Sequence, residues 1–190
     1  MSTAPSPAPS DGSTQPARIV VVMGVSSSGK SVVGKALGRK LHAPFLDGDQ
    51  FHPPANKEKM RAGIPLADED RWPWLEALSL ALHDAAEGKG VAVGACSALK
   101  RAYRDFMTEK AGEPILFVHL DGPRDVIAAR IAAREHEFMP ASLLDSQLAT
   151  LERPAPDENA ITLPITDPVE TLATKAAKAV GHLKTFKRGQ

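Results

Sequence analysis

The residues best suited to chemistry come early, in Gly24-Val-Ser-Ser-Ser-Gly29-Lys30-Ser31, which reads G-x-x-x-x-G-K-S. Glycines at both borders let the backbone turn tightly, so that successive N–H groups face inward and surround anionic oxygens. Donors to a nucleotide's phosphates are expected from Gly24, Ser26, Ser27, Ser28, Gly29, Lys30, Ser31 and Val32. Lys30 can reach the β- and γ-phosphates, and the Ser31 hydroxyl is the expected ligand of Mg²⁺. A second set follows at Asp47 and Asp49. One carboxylate can hold the metal, directly or through water, while the other accepts the proton of an attacking hydroxyl. Asp49, farther from the apolar segment before it, is the candidate base, and Asp47 the candidate metal ligand. Alone, the same residues also spell a solvated Asp-Gly turn. Arg130 and Arg134, four apart, are candidate cations for the equatorial oxygens of a transferring phosphoryl group. A solvated helix face is the plain alternative.

These groups need a scaffold, and the hydrophobic pattern supplies one. The apolar run Ile19 to Met23 ends at the glycine loop, and Val32, Val33, Ala36, Leu37 and Leu41 continue it as a helix, the strand–loop–helix unit of a phosphate site. Further strands are expected at residues 43–46, 91–95, 115–120 and 160–164. Helices are expected between them as one or two turns at 56–61 closed by Gly63, from a cap at Asp70 with Pro73 in the first turn to Gly88, at 98–111, and around Val126, Ile127 and Ile131. Leu144, Leu148 and Leu151 mark another, and Val169, Leu172, Ala176, Val180 and Leu183 the last. Alternation of strands and helices predicts a parallel sheet covered on both faces. With the phosphate loop, the expected architecture is an α/β fold of P-loop NTPase type with three layers, five parallel strands and a lid segment; the order 2-3-1-4-5 is expected from the resemblance given below. Polar residues after the second strand then lie where open α/β sheets bind ligands.

Residues 1–17 are rich in Pro, Ser, Ala and Thr with no apolar block, which predicts a disordered tail before a kinase domain at 18–184 and a basic tail at 185–190. With 23 basic against 23 acidic residues among 190, no long-range field selects nucleic acid or an anionic membrane. The lone Cys96 excludes an intramolecular disulfide, suits a reducing cytoplasm, and follows an apolar strand as a buried, inert thiol would. Trp72 and Trp74 are expected to pack the core. His52, Lys57, Lys59, Lys100 and Arg104 cannot be ranked by pattern.

Five blocks in order, GVSSSGKS, FLDGDQFHPPANKEKM, PLADEDRWPWL, CSALKRAYRD and FMPASLLDSQLATLERP, resemble the gluconokinases of the small P-loop type, kin to shikimate and adenylate kinases. The resemblance runs from about Ile19 to Leu183. It implies transfer of the ATP γ-phosphoryl group to D-gluconate with Mg²⁺, in a cytoplasmic homodimer. It places gluconate near Asp49, His52, Lys57, Lys100 and Arg104, makes the segment from Arg130 to His136 the lid, with His136 a further substrate contact, and sets Thr166 and Asp167 beside the adenine. One departure stands out: family members usually carry Gly where this chain has Ser27. Rival readings are a kinase of another small hydroxy acid, such as a shikimate-like one, or of a nucleoside monophosphate, and a nucleotide-binding regulatory protein that has lost catalysis.

Overall fold

The computed structural model describes residues 18–133 and 141–181. Leu183, both tails and the last three residues of the expected lid, Arg134 and His136 among them, lie outside these residues.

Strand β1 (Ile19–Met23) is buried at every position, as a run of β-branched residues must be when a parallel sheet is covered on both faces. It is followed by α1 (Lys30–Leu41), β2 (Phe45–Asp47), a 3₁₀ turn at Gly48–Phe51, α2 (Pro54–Arg61) and α3 (Asp68–Lys89). Then come β3 (Ala92–Ala95), α4 (Arg101–Ala111), β4 (Ile115–Asp121), α5 (Arg124–Ala132), α6 (Ala141–Thr150), β5 (Ala160–Pro164) and α7 (Val169–Gly181). The order is β2-β3-β1-β4-β5, as expected, and every pairing is parallel. Ile19 sits between Ala92 and Ile115, which aligns the C-terminal ends of the three central strands at one edge.

Right-handed crossovers put α1 on one face of this sheet and α3 and α4 on the other. The packing agrees, with α1 against α7 and α3 against α4. Strand order reverses around β1, so the crevice at its C-terminal end is the place for a ligand.

Two helix starts differ from expectation. Asp70 is not the cap of α3: the helix begins at Asp68, and Asp70 reaches back from its first turn to accept the Ala67 N–H at 2.9 Å. Pro73 therefore lies inside the helix. Helix α4 begins at Arg101 rather than residue 98, because Ala98 takes a left-handed backbone (φ 42) and a guanidinium occupies the Ala98 and Leu99 carbonyls. Cys96 is buried, and desolvation pushes its thiol up to about 12, inert as expected. Trp74 is buried, while Trp72 packs half-buried on Tyr103 and Phe106.

Candidate phosphoryl-transfer site

The loop after β1 is shaped by contacts that leave no room for other residues. Gly24 has φ 141, and a Cβ there would lie 2.9 Å from the Leu120 carbonyl oxygen and 3.0 Å from Ser28 Oγ. Its N–H donates to the Ser97 carbonyl, tying the loop to the end of β3. Helix α1 starts with no side-chain cap and no acidic residue in its first turn, so its N–H groups and positive dipole end face the loop's opening. Such an end receives anions.

Ser26, Ser27, Gly29, Lys30, Ser31 and Val32 line one side of a cavity of about 150 Å³, and Asp47 and Asp49 line another. The structure thus brings most of the expected phosphate residues together with the acidic pair. Gly24 and Ser28 stand apart: neither lines the cavity, and Ser28 is buried beneath the loop with its N–H on the Val25 carbonyl. Lys30 Nζ donates to the Val25 carbonyl at 2.9 Å, folded onto its own loop.

Ser27 adopts φ 60. A serine held there costs about 1 kcal/mol relative to glycine. Because the strain is already present without nucleotide, Ser27→Gly is expected to raise Tm by about 2–4 °C, measured by thermal unfolding.

The acidic side is set by backbone proximity. Asp47 ends β2, and its Oδ1 accepts the Asp49 N–H at 3.2 Å. Gly48 between them sits so close to the Ala95 carbonyl that a Cβ would collide with it. The Gly48 carbonyl accepts the Trp74 indole N–H at 2.7 Å, fastening this turn to α3. Ser31, Asp47 and Asp49 offer hard oxygen donors around one cavity. That set fits Mg²⁺, which keeps several waters and takes one or two protein ligands beside phosphate oxygens.

Behind the acids, His52 is 6% exposed and stacks on Trp74 with ring centroids 3.9 Å apart. Burial first, then the charges of Arg71 and Lys57, push its pKa down to about 4, so the ring is neutral at physiological pH. Asn56 Nδ2 donates to the Asp70 carbonyl at 2.7 Å, which fixes the amide's orientation and turns the same nitrogen toward His52 Nδ1 at 3.3 Å. Nδ1 accepts, and the proton resides on Nε2.

Three further candidates are engaged elsewhere. Arg104, expected at the substrate, is buried under α4: Nε and Nη2 hold both Glu158 oxygens at 2.6 and 2.9 Å, and Nη1 donates to the Ala98 and Leu99 carbonyls. Four of its five N–H donors are engaged in structure. Lys100 holds both Asp68 oxygens at 2.9 Å, and Tyr103 donates to the same carboxylate. Arg130, on α5, bridges the Ser28 carbonyl (3.3 Å) and the Ile165 carbonyl (2.7 Å), linking the phosphate loop to the turn at Thr166 and Asp167. Thr166 is exposed, and Asp167 pairs with Lys175 at 2.8 Å. Lys57 is half-buried on α2.

Two residues went unmarked by pattern. Arg71, on α3, has a buried Nε with no hydrogen-bond partner among the described residues, and its guanidinium lies 5.5 Å from the Tyr103 ring centre. Gln147, on α6, bonds the phosphate loop at Ser26. Arg71 stands in a charged stretch where one cation reads like any other, and Gln147 in an ordinary amphipathic helix.

A broader groove of about 500 Å³ runs beside the C-terminal half of α1 between Lys35, Arg39, His42 and Phe45. It holds no carboxylate or hydroxyl, so the chemistry belongs to the smaller cavity.

A glycine-bordered loop feeding a helix at the switch point of a 2-3-1-4-5 sheet, facing two carboxylates, defines a P-loop kinase. Residues 26–177 match the shikimate kinase family. The chain is 49% identical over 146 residues to the gluconokinase of Gluconobacter oxydans, covering 76% of this chain and 80% of the relative. It is 43% identical over 164 residues to the thermoresistant gluconokinase of Escherichia coli, covering 85% and 93%. A gluconokinase crystal structure from Sinorhizobium meliloti superposes with a TM-score of 0.77 at 43% identity, covering 86% of this chain and 91% of that one. The chain belongs to the gluconokinases, a family of small P-loop kinases of shikimate kinase type.

Proposed function

We propose that the protein transfers the γ-phosphoryl group of ATP to the terminal hydroxyl of D-gluconate, giving 6-phospho-D-gluconate and ADP. The observation that carries this reading is one cavity walled by Lys30 and Ser31 on one side and Asp47 and Asp49 on the other. Its gluconokinase relatives name the acceptor.

In the reaction, the acceptor O–H bond breaks, its proton passes to Asp49, the oxygen bonds to Pγ, and the bond from Pγ to the ADP oxygen breaks. Lys30 leaves the Val25 carbonyl to meet the β- and γ-phosphates. Ser31 and Asp47 would hold Mg²⁺ arriving with the nucleotide, which would supply charge to offset the phosphates. Arg130 steadies the loop from behind. His52 Nε2–H and Lys57 are donors for the polyol's hydroxyls.

The carboxylate of gluconate needs a cation with free donors. Arg71 has a buried Nε with no partner among the described residues, whereas Arg104 is held by Glu158 and two carbonyls and Lys100 by Asp68. A carboxylate would satisfy that N–H and form a charge-assisted pair. We place the enzyme in the cytoplasm as a homodimer on the family resemblance.

The test is a coupled ADP-release assay over a panel of sugar acids, shikimate and nucleoside monophosphates. ADP is expected only with gluconate and Mg²⁺ present; release with another acceptor, or none with gluconate, overturns the assignment. Arg71→Met is expected to raise KM for gluconate about tenfold with KM for ATP unchanged.

A further inference from the structure

Gln147 touches the phosphate loop in a way that dictates where one proton goes. The Ser26 N–H donates to Gln147 Oε1 at 2.7 Å, and Gln147 Nε2 donates to Ser26 Oγ at 3.1 Å. The amide's orientation follows from chemistry, since a backbone N–H can donate only to the oxygen end. Two consequences follow for Ser26. Its N–H is consumed, so the residue does not present that donor to a phosphate while the pair holds. Its hydroxyl accepts from Nε2 on one lone pair, so the O–H proton is turned away from Gln147 and remains available to donate. Among the described residues no acceptor takes that proton, and Ser26 lines the cavity shared with Asp47 and Asp49.

We infer that Gln147 is a positioning residue for phosphoryl transfer: its carboxamide aims the Ser26 hydroxyl into the cavity as a donor to the transferring phosphoryl group. The inference rests on the proposed use of ATP as phosphoryl donor. It assigns α6 a part in the reaction although Gln147 is 121 residues from its partner. A preset donor at the point of developing charge needs no reorganisation during the reaction.

Glutamate separates this role from a merely structural tie. In Gln147→Glu the carboxylate would accept both the Ser26 N–H and the Ser26 O–H, keeping two hydrogen bonds while turning the proton out of the cavity. It would also set a negative charge near the phosphates. The charge acts whether or not the Ser26 hydroxyl is present, so a structural tie predicts that Gln147→Glu lowers kcat by the same factor on the wild-type and Ser26→Ala backgrounds. The positioning role predicts about a tenfold fall in kcat for Gln147→Ala and a larger one for Gln147→Glu, with thermal unfolding of the Glu variant unchanged.

A double-mutant cycle adds the second readout. On a Ser26→Ala background, Gln147→Ala is expected to lower kcat by less than about twofold, because the proton it aims is gone. Calorimetric titration with Mg²⁺ and either a non-hydrolysable ATP analogue or ADP frees the test from the acceptor. Gln147→Glu is expected to weaken the triphosphate about tenfold and ADP less than twofold. Wild-type kcat in Gln147→Glu, additive effects in the cycle, or equal losses for both nucleotides each overturn the inference. A wild-type enzyme inactive on gluconate would instead overturn the proposed acceptor, and the nucleotide ratio would still decide the role of Gln147.

Discussion

Asp49→Asn is expected to lower kcat about a hundredfold while KM for ATP stays within about twofold of wild type. The substitution keeps size and shape, so the backbone link from the Asp49 N–H to Asp47 survives while the side chain loses its capacity to take a proton. The size follows from two opposing effects. General-base catalysis is worth roughly 10²- to 10⁴-fold, but a loose transition state leaves the acceptor proton largely in place until late, which favours the low end. The ATP side is insulated because the nucleotide contacts proposed above come from the loop and the N-terminus of α1, not from the turn that carries Asp49. Steady-state kinetics with both substrates varied makes the check. An unchanged kcat would remove Asp49 from the base role, and a parallel rise in KM for ATP would make it a metal ligand instead.

The phosphate loop and the acidic pair could be read from the chain because their signals are local. A buried parallel strand spells itself as Ile19 to Met23, and the need for tight turns is written in Gly24 and Gly29. Strand count and parallel pairing followed from alternation, whereas the order β2-β3-β1-β4-β5 is one that alternation alone does not select. Cys96 followed from the strand it ends.

What stayed hidden depends on partners far along the chain or on backbone shape. Arg104 has the same spelling whether its guanidinium faces water or a carboxylate, and that carboxylate is 54 residues away. The start of α4 moved because Ala98 is left-handed, a conformation that no rule assigns to alanine. At α3 the cap position holds Ala67, which has no polar atom to offer, so the visible signal at Asp70 pointed to the wrong residue. Gln147 and Arg71 acquire meaning only when α6 and α3 are docked on the sheet.

Arg104→Met is expected to destabilise the fold by about 3–5 kcal/mol, lowering Tm by roughly 10 °C for a chain of this length. The reason lies with the partner left behind. Arg104 and Glu158 have side chains 1% and 6% exposed, and removing the cation strands a carboxylate where water cannot reach it. Burial raises the Glu158 pKa, but the Arg104 hydrogen bonds and the Ala155 N–H outweigh it, and the group ends below its ordinary value. A carboxyl lowered in the folded state contributes stability above the unfolded pKa and loses it as pH falls through the folded one, so the pair gives way only in acid. If the orphaned charge is the main cost, Arg104→Met with Glu158→Met should regain at least half of the lost Tm, since apolar groups of similar volume often replace a buried pair without penalty. The remainder belongs to the Ala98 and Leu99 carbonyls, which lose their donor in both variants. Thermal unfolding of the single and double variants separates these parts. A single variant with wild-type Tm and a raised KM for gluconate would return Arg104 to the substrate.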